Sequence, residues 1–157
     1  MKNLIPYFFL LVLSLTACQF EPNIKPTTKL SVKVSYVYDG DTFKGANGKR
    51  YRLIGIDAPE TAKGDSLTSE PFADASKQFL NKLIKNKTVG IEYDVETYDK
   101  YGRELVYVWL NDSTMVNEHL LESGMATLLT IPPNVANSMA FIKAQRKAKN
   151  QKFGLWQ

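Results

Sequence analysis

Three short polar clusters bring carboxylates, arginines and tight turns together along the sequence. They are Asp39-Gly40-Asp41-Thr42, Arg52 with Asp57-Ala58-Pro59-Glu60, and Asp99-Lys100-Tyr101-Gly102-Arg103. Because a proline favours an extended backbone at the residue before it, the second cluster should hold its two carboxylates apart on a rigid loop. Each cluster taken alone also fits an ordinary turn, or a surface ion pair worth at most about 1 kcal/mol.

Taken together, the clusters contain the groups for metal-assisted hydrolysis of a phosphodiester. Two aspartates and a nearby carbonyl make a hard oxygen site of the kind that binds Ca²⁺. Two arginines match the geometry of a phosphodiester and the extra charge of its transition state. A further carboxylate can activate or orient water. This combination predicts a hydrolase that works without histidine.

Scarce residue types exclude other chemistries. His119 is the only histidine and Cys18 is the only cysteine. A histidine-centred zinc site, a Ser-His-Asp triad and an intramolecular disulfide are therefore excluded, and no glycine-rich P-loop occurs. We expect His119 to lie at the surface or rim of the fold. Catalysis must then depend on carboxylates, arginine, lysine, tyrosine or a metal.

The amino-terminal residues have the pattern of an export signal. Lys2 precedes an apolar stretch, Leu4 to Leu15, that is shorter than the ~20 apolar residues of a membrane-spanning helix. Leu15-Thr16-Ala17-Cys18 resembles a bacterial lipobox, which implies cleavage before Cys18 and attachment of lipid to it. An ordinary secreted protein with an unlipidated cysteine is the alternative interpretation.

The sequence therefore divides into three expected parts. These are a signal peptide at 1–17, a lipidated Cys18 with a flexible tether to residue 29, and one domain over 30–157. The net charge is +4, yet five basic and no acidic residues follow Val135, which leaves the rest of the chain weakly acidic. A basic carboxy-terminal helix can meet a polyanion, and it can equally be a solvated helix face.

The hydrophobic pattern predicts a small barrel. Alternating apolar residues predict a strand over 30–38, and Asn47-Gly48 predicts a hairpin that pairs Phe43 with Tyr51. A third strand, ending at Ile56, completes a meander. Further strands are predicted over 88–95 and 105–110. Five short strands favour a five-stranded barrel of the OB type in the α+β class, with a small sandwich as the alternative.

Apolar residues at helical spacing predict three helices. They cover 71–86, 115–126 and 135–151. Gly124 closes the second helix. In the third helix we expect Met139, Phe141 and Ile142 to face inward, and the apolar residues 153–156 should pack back on the body.

Five motifs together resemble one known family. They are DGDT, YRLIGIDAPET, DKYGRELVYVWL, MVNEHLLESGMA and AQRKAKNQKFGLW. They occur in the order, and at roughly the spacings, of staphylococcal nuclease-like (thermonuclease) domains, and the resemblance covers about residues 31–157. It implies an OB-fold barrel with three helices that cleaves DNA and RNA with Ca²⁺ and leaves 3′-phosphorylated ends.

The resemblance also implies which residues bind the metal and act on water. Asp41 and Asp57 match the calcium carboxylates, and the main-chain carbonyl of Ala58 matches a third protein ligand. Glu60 matches the residue that acts as general base or orients water. Ala58 replaces a threonine of the best-known member, a change that a main-chain ligand tolerates.

Four further positions match groups that contact the nucleotide. Arg52 and Arg103 match the two phosphate-binding arginines, and Lys100 and Tyr101 match positions that contact the nucleotide phosphate. Where the best-known member has tyrosines bordering the base, Thr130-Ile131-Pro132 stand here. Since stacking on an aromatic ring can contribute about 1–3 kcal/mol per base, we expect affinity and base preference to differ.

The function predicted from the sequence is a monomeric, lipid-anchored nuclease facing the periplasm or the cell exterior. Its substrates would be DNA and RNA, its cofactor Ca²⁺ and its membrane contact the lipid on Cys18. The principal alternative is a catalytically silent OB module that binds nucleic acid. A third is a barrel that binds another anionic ligand, such as a cell-wall oligomer.

Overall fold

A computed structural model describes residues 29–62 and 68–157. Its strands are β1 (Leu30–Val37), β2 (Thr42–Gly45), β3 (Arg50–Leu53), β4 (Ile56–Asp57), β5 (Thr88–Glu92), β6 (Glu104–Trp109) and β7 (Thr127–Leu128). Its helices are α1 (Ala73–Ile84), α2 (Val116–Glu122) and α3 (Ser138–Gln151), followed by a 3₁₀ turn at Gly154–Trp156. The predicted signal peptide, Cys18 and the tether as far as residue 28 lie outside the described residues. Within the described ranges, no helix is long and apolar enough to cross a membrane.

Five strands close into a barrel in the order β1-β2-β3-β6-β5. All neighbours are antiparallel except β3 and β6, which run parallel. The hairpin at Asn47-Gly48 forms as predicted, with Gly48 at a positive φ of 82° and Phe43 paired with Tyr51. The α+β fold with a five-stranded barrel and three helices is therefore confirmed, and the sandwich alternative is wrong.

Alternation along the strands decides which side chains fill the barrel. Val37, Phe43 and Tyr51 point inward and are at most 2% exposed. The rings of Phe43 and Tyr51 stack across the hairpin with centroids 4.9 Å apart. Burying an aromatic side chain of this size stabilises the fold by about 2–3 kcal/mol. The residues between these positions therefore face outward, on the surface that carries Arg52.

The third strand ends earlier than predicted, at Leu53 rather than Ile56. Gly55 has a positive φ of 80°, which breaks the strand and turns the chain. A side chain at Gly55 would lie 2.4 Å from the ring of Phe141, so the position must also stay small. After the turn, Ile56 and Asp57 form β4 and pair with β7. This break separates Asp57 from the barrel wall.

The buried face of α3 also differs from the prediction. Phe141, Ala144 and Ala148 are buried, whereas Met139 is 77% exposed and Ile142 is 37% exposed. Phe141 occupies the space beside Gly55 and Tyr107, and that contact sets the rotation of the helix. The inward placement was therefore right for Phe141 and wrong for the other two residues. His119 is partly buried beside the ring of Phe79, in keeping with the expected rim position.

Candidate active site

Asp41 lies in the turn between β1 and β2 and is only 3% exposed. Its Oδ1 accepts a hydrogen bond from Thr42 Oγ1 at 2.9 Å, and its Oδ2 accepts one from Ala58 N at 2.8 Å. Arg52 Nη1 lies 3.1 Å from Oδ2. Burial raises the pKa of Asp41 to about 7, opposed by Arg52 and assisted by Asp39. Arg52 alone therefore leaves this buried carboxylate short of positive charge.

Arg52 links the two aspartates through one guanidinium. Nη1 contacts Asp41 and also donates to the carbonyls of Leu53 and Ile56, at 3.0 and 2.9 Å. Nη2 donates to Asp57 Oδ1 at 3.0 Å. The Asp57 side chain is 57% exposed, so it faces solvent where Asp41 does not. The break after Leu53 matters here, because the turned chain presents its carbonyls to the arginine.

Arg103 approaches the same place from the turn before β6. Its Nε donates to Asp99 Oδ2 at 2.6 Å, and its Nη1 lies 3.5 Å from Thr42 Oγ1. Asp99 Oδ1 accepts from the main-chain amides of Tyr101 and Arg103, each at 2.9 Å. Burial acts to raise the pKa of Asp99. The hydrogen bonds that Asp99 accepts from Arg103 and Tyr101 outweigh burial and lower the pKa below its usual value. Thr42 therefore connects Arg103 to Asp41.

Glu60 lies on the loop that follows β4 and is exposed. Its main-chain amide donates to Glu70 Oε2 at 3.0 Å, and the amide of Glu70 donates back to the Glu60 carbonyl at 3.0 Å. The two ends of the loop are thereby fastened to each other. Only Ala58 and Pro59 separate Glu60 from Asp57, so both carboxylates extend from the same short segment.

A cavity of about 390 Å³ opens beside the arginines. Its polar lining includes Arg52, Arg103, Lys100 and Tyr101 together with Glu96, Asp99 and Asn134, while leucine, isoleucine and Tyr98 side chains make the apolar part. The Arg103 guanidinium and the Lys100 ammonium lie 5.5 and 5.1 Å from the ring centroid of Tyr101. The volume is in the range of small-molecule sites. Lys100 and Tyr101 therefore line the same cavity as the two arginines.

The segment Thr130-Ile131-Pro132 contributes to this cavity through one residue. Ile131 lines the cavity and is 60% exposed. Leu129, which precedes this segment, also lines the cavity. Thr130 and Pro132 are not among its lining residues. The wall at this side is therefore aliphatic, and the aromatic side chains of the cavity are Tyr98 and Tyr101.

The donor set fits a hard cation. In the described part of the chain no group of three or more Asp, Glu, His or Cys side chains is arranged to hold a metal. Two carboxylates do meet at Arg52, and the Ala58 backbone lies against Asp41. Ca²⁺ accepts carboxylate, carbonyl and water oxygens in a loose shell of six to eight ligands. Asp41, Asp57 and the Ala58 carbonyl suit that requirement, with water completing the shell.

Three supporting residues had no assigned role in the sequence-based prediction. Thr42 bridges Asp41 and Arg103, Asp99 orients Arg103, and Glu70 fastens the Glu60 loop. Asp99 had a usable signal, because an acid four residues before an arginine in a glycine turn can pair with it. Glu70 had none, since its contact depends on how the intervening loop closes.

Comparison with known proteins gives the same family for this chain. A family model described as staphylococcal nuclease homologue matches residues 50–157. The chain is 39% identical over 130 residues to a thermonuclease of Staphylococcus intermedius, a match covering 81% of this chain and 76% of that protein. It is 35% identical to a thermonuclease of Staphylococcus hyicus, covering 79% and 74% of the two chains. It is also 36% identical to the endonuclease YncB of Bacillus subtilis, covering 86% and 66%.

Proposed function

This chain belongs to the staphylococcal nuclease homologue family, and we propose that it is a Ca²⁺-dependent nuclease that hydrolyses DNA and RNA. One observation carries the proposal. A single guanidinium, that of Arg52, touches both Asp41 and Asp57, and Arg103 reaches the same Asp41 through Thr42. Two arginines beside two carboxylates make a place for a phosphodiester and a cation together.

Asp41, Asp57 and the Ala58 carbonyl would hold the ion. When bound, Ca²⁺ supplies positive charge that polarises the phosphoryl group and makes a coordinated water more acidic. Asp41 is the anchor among these groups, because its position is held by Thr42 and Ala58. Asp57 is exposed and completes the site from the solvent side.

The protein groups divide the work on the phosphodiester. Arg52 and Arg103 bind its non-bridging oxygens, and their hydrogen bonds strengthen as charge develops in the transition state. Glu60 takes the proton of the attacking water, or orients that water for attack. Arg103 also favours departure of the leaving oxygen by stabilising its charge. Lys100 and Tyr101 hold the attached nucleotide in the adjoining cavity.

Export and anchoring form a separate part of the proposal, supported by the amino-terminal sequence alone. Residues 1–17 would be removed, and Cys18 would carry the lipid that places a monomeric enzyme at the periplasmic or outer surface. Cys18→Ser should leave the precursor unprocessed by the lipoprotein peptidase in the producing cell. Electrophoretic mobility measures this processing. Equal processing of wild type and Cys18→Ser would refute the lipid anchor.

The nuclease proposal is tested by incubating the purified protein with single-stranded DNA, single-stranded RNA and duplex DNA. We expect cleavage with Ca²⁺ and none with a chelator. Absence of Ca²⁺-dependent cleavage of every substrate would contradict the enzyme. Retained binding of the same strands would then identify the catalytically silent module instead.

A further inference from the structure

The outward side of the hairpin strands carries two rows of side chains, and one of these rows contains Arg52 and the buried Thr42. The register pairs Tyr36 with Lys44 and Lys44 with Arg50, and one pleat further on it pairs Thr42 with Arg52. Tyr38 donates its amide to the Thr42 carbonyl and so belongs to the second row. Residues between the rows point into the barrel. We call this surface the outer hairpin face: Tyr36, Tyr38, Thr42, Lys44, Arg50 and Arg52.

The two rows of this face lie close to each other and to the proposed site. The row nearer the site, Tyr38, Thr42 and Arg52, includes the arginine that meets both aspartates. The row further from it, Tyr36, Lys44 and Arg50, is two residues further along each strand, or about 7 Å. It is therefore adjacent to the place where a phosphodiester would be held.

The further row has the chemistry of a single-strand subsite. Tyr36 is 47% exposed, and its ring meets that of Tyr38 edge-on with centroids 5.0 Å apart. Lys77 extends from α1 to place its ammonium 5.9 Å from the Tyr36 centroid. Arg50 is exposed and Lys44 is half-buried. An exposed ring with one lysine near it, and two further cations on the neighbouring strands, offers a base a stacking surface and its phosphates a positive charge.

Arg52 belongs to the outer hairpin face and also lines the cavity described above, so it lies between that cavity and the further row. The cavity lies on the β3–β6 side, where Arg103 and Leu105 line it, whereas Tyr36 and Lys44 lie on the β1–β2 side. A strand crossing Arg52 would therefore have one nucleotide in the cavity and the next one on the outer hairpin face.

We propose that the outer hairpin face is a second nucleotide subsite, which holds the unpaired nucleotide across the cleaved phosphodiester from the cavity. Tyr36 stacks on its base, and Lys44 and Arg50 bind its flanking phosphate. This inference rests on the proposed nuclease function, because the subsite takes its orientation from the phosphodiester at Arg52.

The test compares a long and a short substrate. Tyr36→Ala should lower kcat/KM for a single-stranded 12-mer by about 5- to 150-fold, the loss expected for one stacked base. It should leave hydrolysis of a mononucleotide p-nitrophenyl ester unchanged, since that ester carries only one nucleoside. Tyr36→Phe retains the ring and should behave as wild type on both. Unchanged 12-mer cleavage by Tyr36→Ala would overturn the subsite while leaving the nuclease intact.

The charge component has its own readout. Binding of the 12-mer in chelator should become less salt-dependent in K44A/R50A, because the log–log slope falls by about 0.7 for each phosphate that the protein no longer neutralises. K143A/R146A removes the same charge from the exposed side of α3 and should keep the wild-type slope. Equal slopes in the two double variants would contradict the proposal. If wild type cleaves neither substrate, the proposed nuclease function is contradicted. Weaker binding of the 12-mer by Tyr36→Ala than by wild type would then still support the subsite, and equal binding would overturn it.

Discussion

Two buried carboxylates of this barrel, Asp41 and Glu104, have opposite electrostatic surroundings. They are 3% and 2% exposed. Burial raises the pKa of Asp41 in spite of Arg52. Burial also acts to raise the pKa of Glu104, but hydrogen bonds from Lys49, Tyr93 and Tyr98 outweigh it and lower the pKa overall.

The difference separates a carboxylate of the fold from a carboxylate of the site. Lys49 Nζ lies 2.6 Å from Glu104, and the Tyr93 hydroxyl also donates to it, so its charge is compensated within the protein. In the described part of the chain, Asp41 pairs with Arg52, and Asp57 shares that arginine. A buried charge that the protein itself compensates incompletely is a place for an external cation.

The largest expected effect is a difference in cleavage rate between variants of Asp41 and Glu104. Asp41→Asn should slow Ca²⁺-dependent cleavage about 10²- to 10³-fold, because it removes charge at the metal and beside Arg52. Glu104→Gln, a matched change of another buried acid, should retain activity within about threefold. Initial rates on one single-stranded oligonucleotide measure both. Equal losses would mean that Asp41 serves only the fold.

Addition of Ca²⁺ should stabilise only proteins that keep the site. At a concentration 100 times its Kd, Ca²⁺ should raise the free energy of unfolding of wild type and Glu104→Gln by about 2.7 kcal/mol. Asp41→Asn should gain much less. Urea unfolding with Ca²⁺ and with chelator gives these values, with Mg²⁺ as a control for ionic strength. A full gain in Asp41→Asn would place the ion elsewhere.

Without metal, Glu104→Gln should lose more unfolding free energy than Asp41→Asn, although Asp41→Asn should lose more activity. Glu104→Gln removes a charged acceptor that three side chains use, and should cost about 1–2 kcal/mol. Asp41→Asn keeps an oxygen that can accept from Ala58 and removes an undercompensated charge, so we expect a change within about 1 kcal/mol. Denaturant midpoints in chelator measure both values, and a greater loss in Asp41→Asn would reverse our interpretation.

The smallest effect is a shift in acid stability. A carboxyl group whose folded pKa is lowered contributes stability that is complete above its unfolded pKa of about 4.3 and lost as pH falls through the folded value. Lys49→Met removes one of the groups that lower the pKa of Glu104. Its acid unfolding midpoint should therefore move to higher pH. Lys143→Met, an exposed lysine on α3, should leave the midpoint unchanged.

These contrasts also show which parts of the structure were predictable. The hairpin at Asn47-Gly48 and the Phe43–Tyr51 pair depend on local turn chemistry and a two-residue period, so the sequence sufficed. The break at Gly55 was missed because the apolar pattern continues through Ile54 and Ile56 and does not show that the glycine between them adopts a positive φ. For the same reason Met139 and Ile142 were placed inward, since hydrophobic residue type alone does not set the rotation of a helix.

The candidate site shows the same division. Asp41, Arg52, Asp57 and Arg103 could be chosen as candidates from the sequence because each belongs to a short polar motif in or beside a strand. Their mutual contacts were not predictable, since the Ala58–Asp41 bond and the Arg103–Thr42 approach join segments that only the closed barrel brings together. The pairing of Glu104 with Lys49 was not predictable either, because the two residues are distant along the chain.

The most direct test of the central claim is the single-turnover rate of oligonucleotide cleavage with Ca²⁺, measured for wild type and Arg52→Ala. Arg52 is the group that joins Asp41 to Asp57 and would bind the phosphate. We predict that its loss slows cleavage at least about 30- to 150-fold, equivalent to about 2–3 kcal/mol of transition-state stabilisation. Circular dichroism checks that the barrel remains folded. Cleavage by folded Arg52→Ala at the wild-type rate would contradict the account.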